Sequence, residues 1–448
     1  MLPSLSAKSI HPNRCTKIGR HIDFCKVICF VLILNAPVSK AISCIMKNFG
    51  WLLFGLTALT ACQTNHAYQP TRFTLYSDIL QEDREILLHL PQDARLRTAS
   101  RPGKKYPVLL VLDGESLFPY VREVYKFLGS EKGQDLLPET VIVGIPNTNR
   151  DRDLTPYPVR FAPGSGGGRR FADFLEQELF PHLAAHYPVL DHRTIIGHSF
   201  GGLFALYTLQ ERSDLFDQYL AIDPSYRAYP QADLPTKPTD GKHKRLFLAI
   251  ANSPSIQTDT SQNTAWDLDM PKDDQHLRAL SVLRDRMNEP HNFPIAFSSK
   301  YYPNEDHGTV CLPAIYDGLR ALFDWFPVDR YASHLKFGSN LMSNDVRDYL
   351  ASYSQLVRQE MGQEATPDDR ILRKIAWAAY GQDNALTREI LHQNHQYHPH
   401  DFDANMALGL FYYREKQFER AIDYLQKTLD IKRDPIAEDI LAKIRSRS

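Results

Sequence analysis

One short stretch constrains the fold of this chain more than any other. Thr194–Leu206 reads TIIGHSFGGLFAL: β-branched residues suited to a strand come first, then glycines, then small and apolar residues that favour a helix. Gly197 and Gly201 carry no Cβ, so backbone can pack closely on both sides of Ser199. A strand that turns sharply into a helix leaves the residue at the turn exposed. The pattern therefore predicts a strand–turn–helix unit that presents Ser199.

Apolar strand patterns recur along the chain and alternate with helical ones. Pro107–Leu112 and Val141–Ile145 are continuous apolar runs, typical of strands buried on both faces. Phe171–Tyr187 has apolar residues at helical spacing. Further strands are expected at Phe73–Tyr76 and Glu85–Leu90, both at a sheet edge, and at Gln218–Ile222, Leu246–Ile250 and Ile295–Tyr302. This alternation predicts an α/β fold with a doubly wound sheet, in which reacting groups gather at the carboxyl ends of the strands.

The serine at the turn needs a base before it can act as a nucleophile. Gly-x-Ser-x-Gly between a strand and a helix is the nucleophile elbow of α/β-hydrolases, whose triads run in the order Ser, acid, His. His307 follows the last predicted strand, and Gly308 lets its loop turn tightly. We therefore predict Ser199 as nucleophile and His307 as base, with His198 packing beside the serine.

Two backbone amides are the predicted donors of the oxyanion hole. One is the N–H of Phe200, directly after the nucleophile, and the other is the N–H of Glu115 in the turn Asp113–Ser116. Neither donor depends on its own side chain.

The acid of the triad is expected after the strand Leu246–Ile250, but no carboxylate follows that strand directly. Asp259 lies nearest to the expected position and is the predicted acid. Other carboxylates follow at Asp267, Asp269, Asp273 and Asp274. A serine–histidine dyad stays open as the alternative, since the acid contributes less than the other two members when removed alone.

The N-terminal segment has the pattern of a bacterial export signal. Met46–Asn48 is a short basic start, Trp51–Ala61 is apolar, and Leu59–Cys62 resembles a lipobox. Residues 46–61 are therefore predicted to be a lipoprotein signal peptide, with lipid on Cys62 and a tether over 62–70. Gln63 after that cysteine favours the outer membrane in Gram-negative lipoproteins. The expected location is the cell envelope, lipid-anchored, facing the periplasm or the exterior.

Residues 1–45 precede this signal and need their own explanation. Cys25–Leu34 is a second apolar run, too short to span a bilayer. An over-extended N-terminus with the true start at Met46 is the preferred interpretation, and a tandem leader is the rival.

The pattern changes beyond residue 327. Residues 71–327 are the predicted α/β-hydrolase domain, and 328–448 are predicted to be a small all-α region with a helix at Asp345–Gln359 and two more within Ala404–Leu429. Tetratricopeptide-like spacing is carried by Leu408, Gly409, Tyr412, Ala421 and Leu425, and Pro399 falls at the end of a weaker preceding unit. So short an array buries little core of its own, so we expect it to dock on the hydrolase domain.

Charge and motif content exclude several function classes. The formal net charge is −1, which provides no basic field for nucleic acid. After Cys62 the chain contains neither His-Glu-x-x-His nor Cys-x-x-Cys, and it has no phosphate loop or dinucleotide fingerprint. We therefore predict no metal and no cofactor.

Four segments resemble one known family. Leu112–Gly114, Asn147–Pro156, Gly197–Leu203 and Tyr301–Gly308 resemble the Putative esterase family of α/β-hydrolases, which includes esterase D-like, feruloyl-esterase-like and siderophore-esterase-like enzymes. The resemblance covers about residues 70–327 and implies ester hydrolysis, with the family's nucleophile at Ser199 and its histidine at His307. Asp223–Tyr226 is similar to the family's Ser-Pro-Ser-Trp segment beside the active site, with Asp and Tyr in place of the first Ser and the Trp.

Three functions compete at this point. The leading hypothesis is a lipid-anchored serine esterase that acts on a small-molecule or envelope ester through an acyl-enzyme. An envelope acyltransferase would pass the same acyl group to another alcohol. A catalytically inactive binding lipoprotein would use its helical tail to recruit a protein partner, and the intact pair Ser199 and His307 argues against it.

Overall fold

A computed structural model of the chain describes residues 70–91, 105–226, 243–252, 275–289, 295–326, 343–362 and 365–446. The predictions for the leader, for the signal peptide and for Cys62 lie outside these residues, and so does the predicted acid Asp259. Among the helices of these residues, none has both the length and the apolar character needed to cross a membrane.

Eight strands form one mixed sheet. They are β1 (Thr71–Ser77), β2 (Glu82–His89), β3 (Tyr106–Val111), β4 (Val141–Gly144), β5 (Val189–His198), β6 (Gln218–Ile222), β7 (Lys244–Ala251) and β8 (Ile295–Tyr302), in the spatial order β1-β2-β4-β3-β5-β6-β7-β8. The first two strands pair antiparallel at one edge, and β3 to β8 run parallel. Every predicted strand is present, but the edge position expected for Glu85–Leu90 is wrong, because β2 pairs with β4 as well as with β1. The carboxyl ends of β3, β5, β6, β7 and β8 lie along one edge of the sheet.

Helices cover both faces of the sheet. They are α1 (Gly114–Leu128), α2 (Arg150–Leu154), α3 (Gly168–Phe174), α4 (Phe180–His186), α5 (Phe200–Glu211), α6 (Gln275–Asn288) and α7 (Cys311–Leu322). Successive residues of β3 point to opposite faces: Leu109 and Val111 join one buried cluster, and Val108 and Leu110 join the other. Burial on both faces explains why this strand is continuously apolar.

The helix predicted over Phe171–Tyr187 is interrupted. A π-helical turn, Leu175–Leu179, separates α3 from α4, and Pro181 stands in the first turn of α4. Proline has no N–H to donate, so a wider turn before it lets the helix continue in nearly the same direction.

The C-terminal part of the described chain is helical, as predicted. It comprises α8 (Ser343–Met361), α9 (Asp369–Ala379), α10 (Asn384–Tyr397), α11 (Phe402–Arg414), α12 (Phe418–Ile431) and α13 (Pro435–Arg445). A Cβ on Gly409 would lie 2.7 Å from the side chain of Leu425, so the packing of α11 on α12 requires glycine there. Whether these helix pairs are tetratricopeptide units stays a prediction.

The helical region packs on the sheet domain through apolar and polar contacts. Leu319 of α7 and Phe323, directly after α7, share one buried cluster with Leu350 of α8. Arg245 of β7 donates to Glu360 at 2.8 Å. Further along, Arg370 donates to the carbonyl of Leu137 at 3.1 Å. The expected docking is therefore observed, whereas the predicted boundary near 327 falls outside the described residues.

Candidate active site

Ser199 stands alone at the turn between β5 and α5, with φ 58° and ψ −116°. A non-glycine residue in this region is strained and persists only where its surroundings hold it. Its N–H donates to the carbonyl of Ile222 at 3.0 Å, and its carbonyl accepts from the N–H of Ser225 at 3.0 Å. A Cβ on Gly197 would lie 2.1 Å from the carbonyl oxygen of Gly201, which explains why residue 197 is glycine.

His307 lies in the loop between β8 and α7 and is bonded to a buried carboxylate. Its Nδ1 is 2.6 Å from Oδ2 of Asp223, whose side chain is 0% exposed. The other carboxylate oxygen of Asp223 accepts from the N–H of Ala251 at 3.1 Å. A carboxylate on Nδ1 fixes the tautomer in which Nε2 has a free lone pair, the form that a general base requires.

Asp223 makes the contact with His307 that the sequence analysis expected of Asp259. Asp259 itself lies outside the described residues. It follows β6 rather than β7, and its N–H donates to the carbonyl of Ala249 at 2.8 Å. Since β6 lies between β5 and β7, its carboxyl end adjoins the turn that carries Ser199. One signal in the sequence could have identified it: Asp223 is the first residue after an apolar strand, and it keeps the order Ser, Asp, His.

The surroundings keep the carboxyl of Asp223 ionised. Burial alone would raise its pKa, but the imidazoles of His276 and His307 and the amide of Ala251 lower it well below its usual range. A permanent anion at this place stabilises the imidazolium that forms when His307 accepts a proton.

His198 adjoins Ser199 in sequence, but its ring packs against the candidate base His307 rather than beside the serine as predicted. The ring centroids of His198 and His307 are 4.4 Å apart, and His198 Nε2 donates to the carbonyl of His307 at 2.7 Å. Burial and the neighbouring His307 lower the pKa of His198 to about 4, so it stays neutral at neutral pH. The contact therefore holds the His307 loop without adding a charge.

The Ser199 hydroxyl forms a hydrogen bond with Ser225 Oγ at 3.1 Å. Among the described residues, it forms none with His307. Catalytic hydrogen bonds are often long in unliganded sites and tighten when substrate binds. Ser225 follows Asp223 by two residues, so a single turn after β6 contacts both the nucleophile and the base.

The two predicted oxyanion donors lie at the starts of two helices. Phe200 and Glu115 lie in the first turns of α5 and α1, where backbone N–H groups have no acceptor within their own helix. A Cβ on Gly201 would lie 3.4 Å from Asp113 Oδ2, so the two turns are in close contact. Parallel pairing of β3 with β5 brings them together.

Arg150, to which the sequence assigned no role, connects these turns through hydrogen bonds. Arg150 donates from Nε to Asp113 at 2.6 Å and from Nη2 to the carbonyl of His198 at 3.2 Å. Asn147 donates to Asp113 at 2.7 Å and to Glu115 at 2.7 Å. These bonds join the segments that follow β3, β4 and β5, and such preorganised donors are what an oxyanion site requires.

Part of the chain is similar to known esterases. Residues 77–288 match the family described as Putative esterase. Ferri-bacillibactin esterase BesA from Bacillus subtilis is 33% identical over 142 residues, which are 28% of this chain and 49% of that protein. The siderophore enterobactin esterase from Emericella nidulans is 26% identical over 257 residues, 49% of this chain and 83% of that protein. The chain spans about half the length of the first of these curated relatives.

Among solved structures, an IroE-like serine hydrolase from Shewanella oneidensis is similar with a TM-score of 0.56 and 28% identity, over 73% of this chain and 99% of that one. An uncharacterised protein from Capnocytophaga ochracea has the same fold, with a TM-score of 0.51 and 16% identity over 84% of this chain and 100% of its own. The matched family and both curated relatives are named as esterases, and the first of these solved structures as a serine hydrolase.

Proposed function

We propose that this chain is a serine esterase that hydrolyses a carboxylic ester through an acyl-enzyme on Ser199. The observation that carries the proposal is the bond between His307 Nδ1 and the buried Asp223, at the strand edge that also presents Ser199. A nucleophile at a sharp turn, an oriented imidazole and two helix N-termini are the parts that acyl transfer needs.

The reaction follows from these parts in two half-reactions. Ser199 Oγ attacks the ester carbonyl as its proton passes to His307 Nε2, and the amides of Phe200 and Glu115 stabilise the oxyanion. The intermediate collapses, and the departing alcohol takes the proton from Nε2. Water then repeats the attack on the acyl-enzyme and releases the acid and a free serine. Asp223 stays ionised throughout and stabilises the imidazolium.

The relatives guide the choice of substrate. Two of them carry names of siderophore esterases, and these names support a small-molecule ester of the siderophore class as substrate. A panel of p-nitrophenyl esters, feruloyl esters and catecholate siderophores tests this directly. We expect the siderophore esters to show the highest kcat/KM, and a preference for feruloyl esters would contradict the substrate assignment.

A fluorophosphonate probe tests the nucleophile. It is expected to modify one residue of the active enzyme, Ser199, because only an activated serine attacks phosphorus at an appreciable rate. Mass spectrometry of the digested protein locates the adduct. Ser225→Ala is the matched control, since Ser225 lies within 3.1 Å of Ser199. An adduct that disappears in Ser225→Ala, or no adduct at all, would reject Ser199 as the nucleophile.

Asp223→Asn is expected to lower kcat by about 10⁴-fold, because an amide on Nδ1 no longer fixes the productive tautomer or stabilises the imidazolium. The asparagine keeps an acceptor for the N–H of Ala251, so the fold is expected to persist. Steady-state kinetics of Asp259→Asn provide the comparison, and we expect that variant to stay close to wild type. A larger loss in Asp259→Asn than in Asp223→Asn would restore Asp259 as the acid.

The proposed esterase is anchored in the cell envelope by lipid on Cys62, and the support for this is the lipobox Leu59–Cys62. Cys62→Ser is expected to move the protein from the membrane pellet to the soluble fraction, because acyl chains on this cysteine are the proposed anchor. Cys311→Ser is the control and should stay in the pellet. Retention of Cys62→Ser after a carbonate wash would point instead to the apolar run at Cys25–Leu34.

A further inference from the structure

A second histidine lies beside the acid of the proposed site. His276 is in the first turn of α6, and its Nε2 is 3.1 Å from Oδ2 of Asp223, the oxygen that His307 bonds at 2.6 Å. The rings of His276 and His307 have centroids 6.0 Å apart and are nearly perpendicular, at 87°. One carboxylate oxygen therefore faces two imidazole nitrogens that come from different elements.

No proton transfer of the proposed esterase mechanism passes through His276, yet its side chain is only 12% exposed. Its Nε2 is buried and makes no hydrogen bond within the described part of the chain, although it lies 3.1 Å from Oδ2 of Asp223. A buried polar atom without a hydrogen bond costs free energy and calls for an explanation. A metal ion bound between these side chains would give this nitrogen a partner.

We propose that Asp223, His276 and His307 form a binding site for a zinc-type divalent metal ion that reversibly inhibits the enzyme. The ligand atoms of the three side chains all lie within 4.8 Å of one another. Two imidazoles and one carboxylate are a donor set that Zn²⁺ uses in proteins, with a fourth position open to water. His307 is the most exposed of the three, so its ring can shift to admit the ion.

The inhibition follows from the lone pairs of imidazole and rests on the proposed role of His307 as base. A neutral imidazole has one basic nitrogen at a time. When the metal takes the lone pair at Nδ1 of His307, the proton that this nitrogen carried moves through solvent to Nε2. An Nε2–H cannot accept the proton of Ser199 Oγ, so acylation stops. No atom is oxidised or reduced, and removal of the ion restores the original tautomer of His307.

The first test measures inhibition by Zn²⁺ in wild type and in His276→Gln, each relative to its own rate without metal. The zinc concentration that halves activity is expected to rise by about tenfold or more in the variant, since even ligand-orienting neighbours are worth about 10–100-fold in metal affinity. Mg²⁺ and Ca²⁺ should not inhibit at the same concentrations, because they prefer oxygen ligands. A chelator should restore the activity. Equal inhibition of the two proteins would overturn the proposal.

A surface pair of histidines supplies the matched control. His182 and His186 stack with centroids 4.2 Å apart on α4, and histidines one helical turn apart can themselves hold Zn²⁺. His186→Gln is expected to leave the inhibition as it is in wild type. If this variant rather than His276→Gln relieves it, the inhibitory ion binds at α4, and the proposed site is wrong.

The second test measures binding without activity. Ser199→Ala keeps the three ligands, and calorimetry should find one zinc site that is lost in the double variant Ser199→Ala/His276→Gln. Circular dichroism verifies that both variants fold. Zinc binding that depends on His276 in a protein without hydrolase activity would uphold the metal site while rejecting the esterase proposal. Hydrolysis with no such binding would uphold the esterase and reject the metal site.

Discussion

Ser199→Ala is expected to lower kcat for ester hydrolysis by about 10³- to 10⁶-fold. The hydroxyl is the proposed nucleophile, and no other described side chain occupies the strained turn between β5 and α5. The residual rate would come from water attack on an ester that the oxyanion donors still polarise. Single-turnover and steady-state assays with the same ester measure the loss, and they should show that no acyl-enzyme accumulates.

The fold of Ser199→Ala should stay unchanged, which separates chemistry from stability. The contacts that hold residue 199 are made by its backbone, to Ile222 and Ser225. Alanine keeps both bonds, so the thermal unfolding temperature should stay within about 2 °C of wild type, as for a small surface change. Near-wild-type turnover in a well-folded Ser199→Ala would reject the nucleophile.

His307→Ala is expected to cost about as much as Ser199→Ala, since serine without its base stays protonated and unreactive. The ring is half-buried between Asp223 and His198, so its loss should affect turnover more than unfolding. His198→Gln is the control, because the ring centroids of His198 and His307 are 4.4 Å apart. A larger loss in His198→Gln than in His307→Ala would exchange the roles of the two histidines.

The double variant Ser199→Ala/His307→Ala tests whether the two residues act as one unit. Its kcat is expected to lie within about tenfold of either single variant, because groups that act together do not lose their contributions additively. Losses that multiply would mean independent roles and would contradict the proposed proton transfer from Ser199 to His307.

The proposed acid of the triad is the part of the site that the sequence did not identify. The expectation that the acid follows the strand Leu246–Ile250 directed attention to Asp259 and away from Asp223. Asp223 and His307 are 84 residues apart in sequence, and the contact between them depends on which strand lies next to β5. Strand order in a parallel sheet is set by the packing of every element at once, so apolar patterning within single strands does not reveal it.

The role of Arg150 was hidden for the same reason. Its segment resembled one of the family's motifs, but the bonds to Asp113 and to the carbonyl of His198 join turns that follow three different strands. A charged side chain in a short helix is by itself an ordinary surface residue. Its guanidinium lies between the two turns, and can stabilise both, only after the sheet has formed.

The sequence by itself determined the local units of this protein. Strand patterning, the glycines around Ser199 and the position of His307 after the last strand follow from backbone sterics and from periodicity, which act over a few residues. Tertiary structure alone decided the partner of His307, the second imidazole at Asp223 and the individual contacts through which the C-terminal helices dock. These contacts depend on distances between segments far apart in the chain, and those distances exist only once the sheet and both of its covered faces have formed.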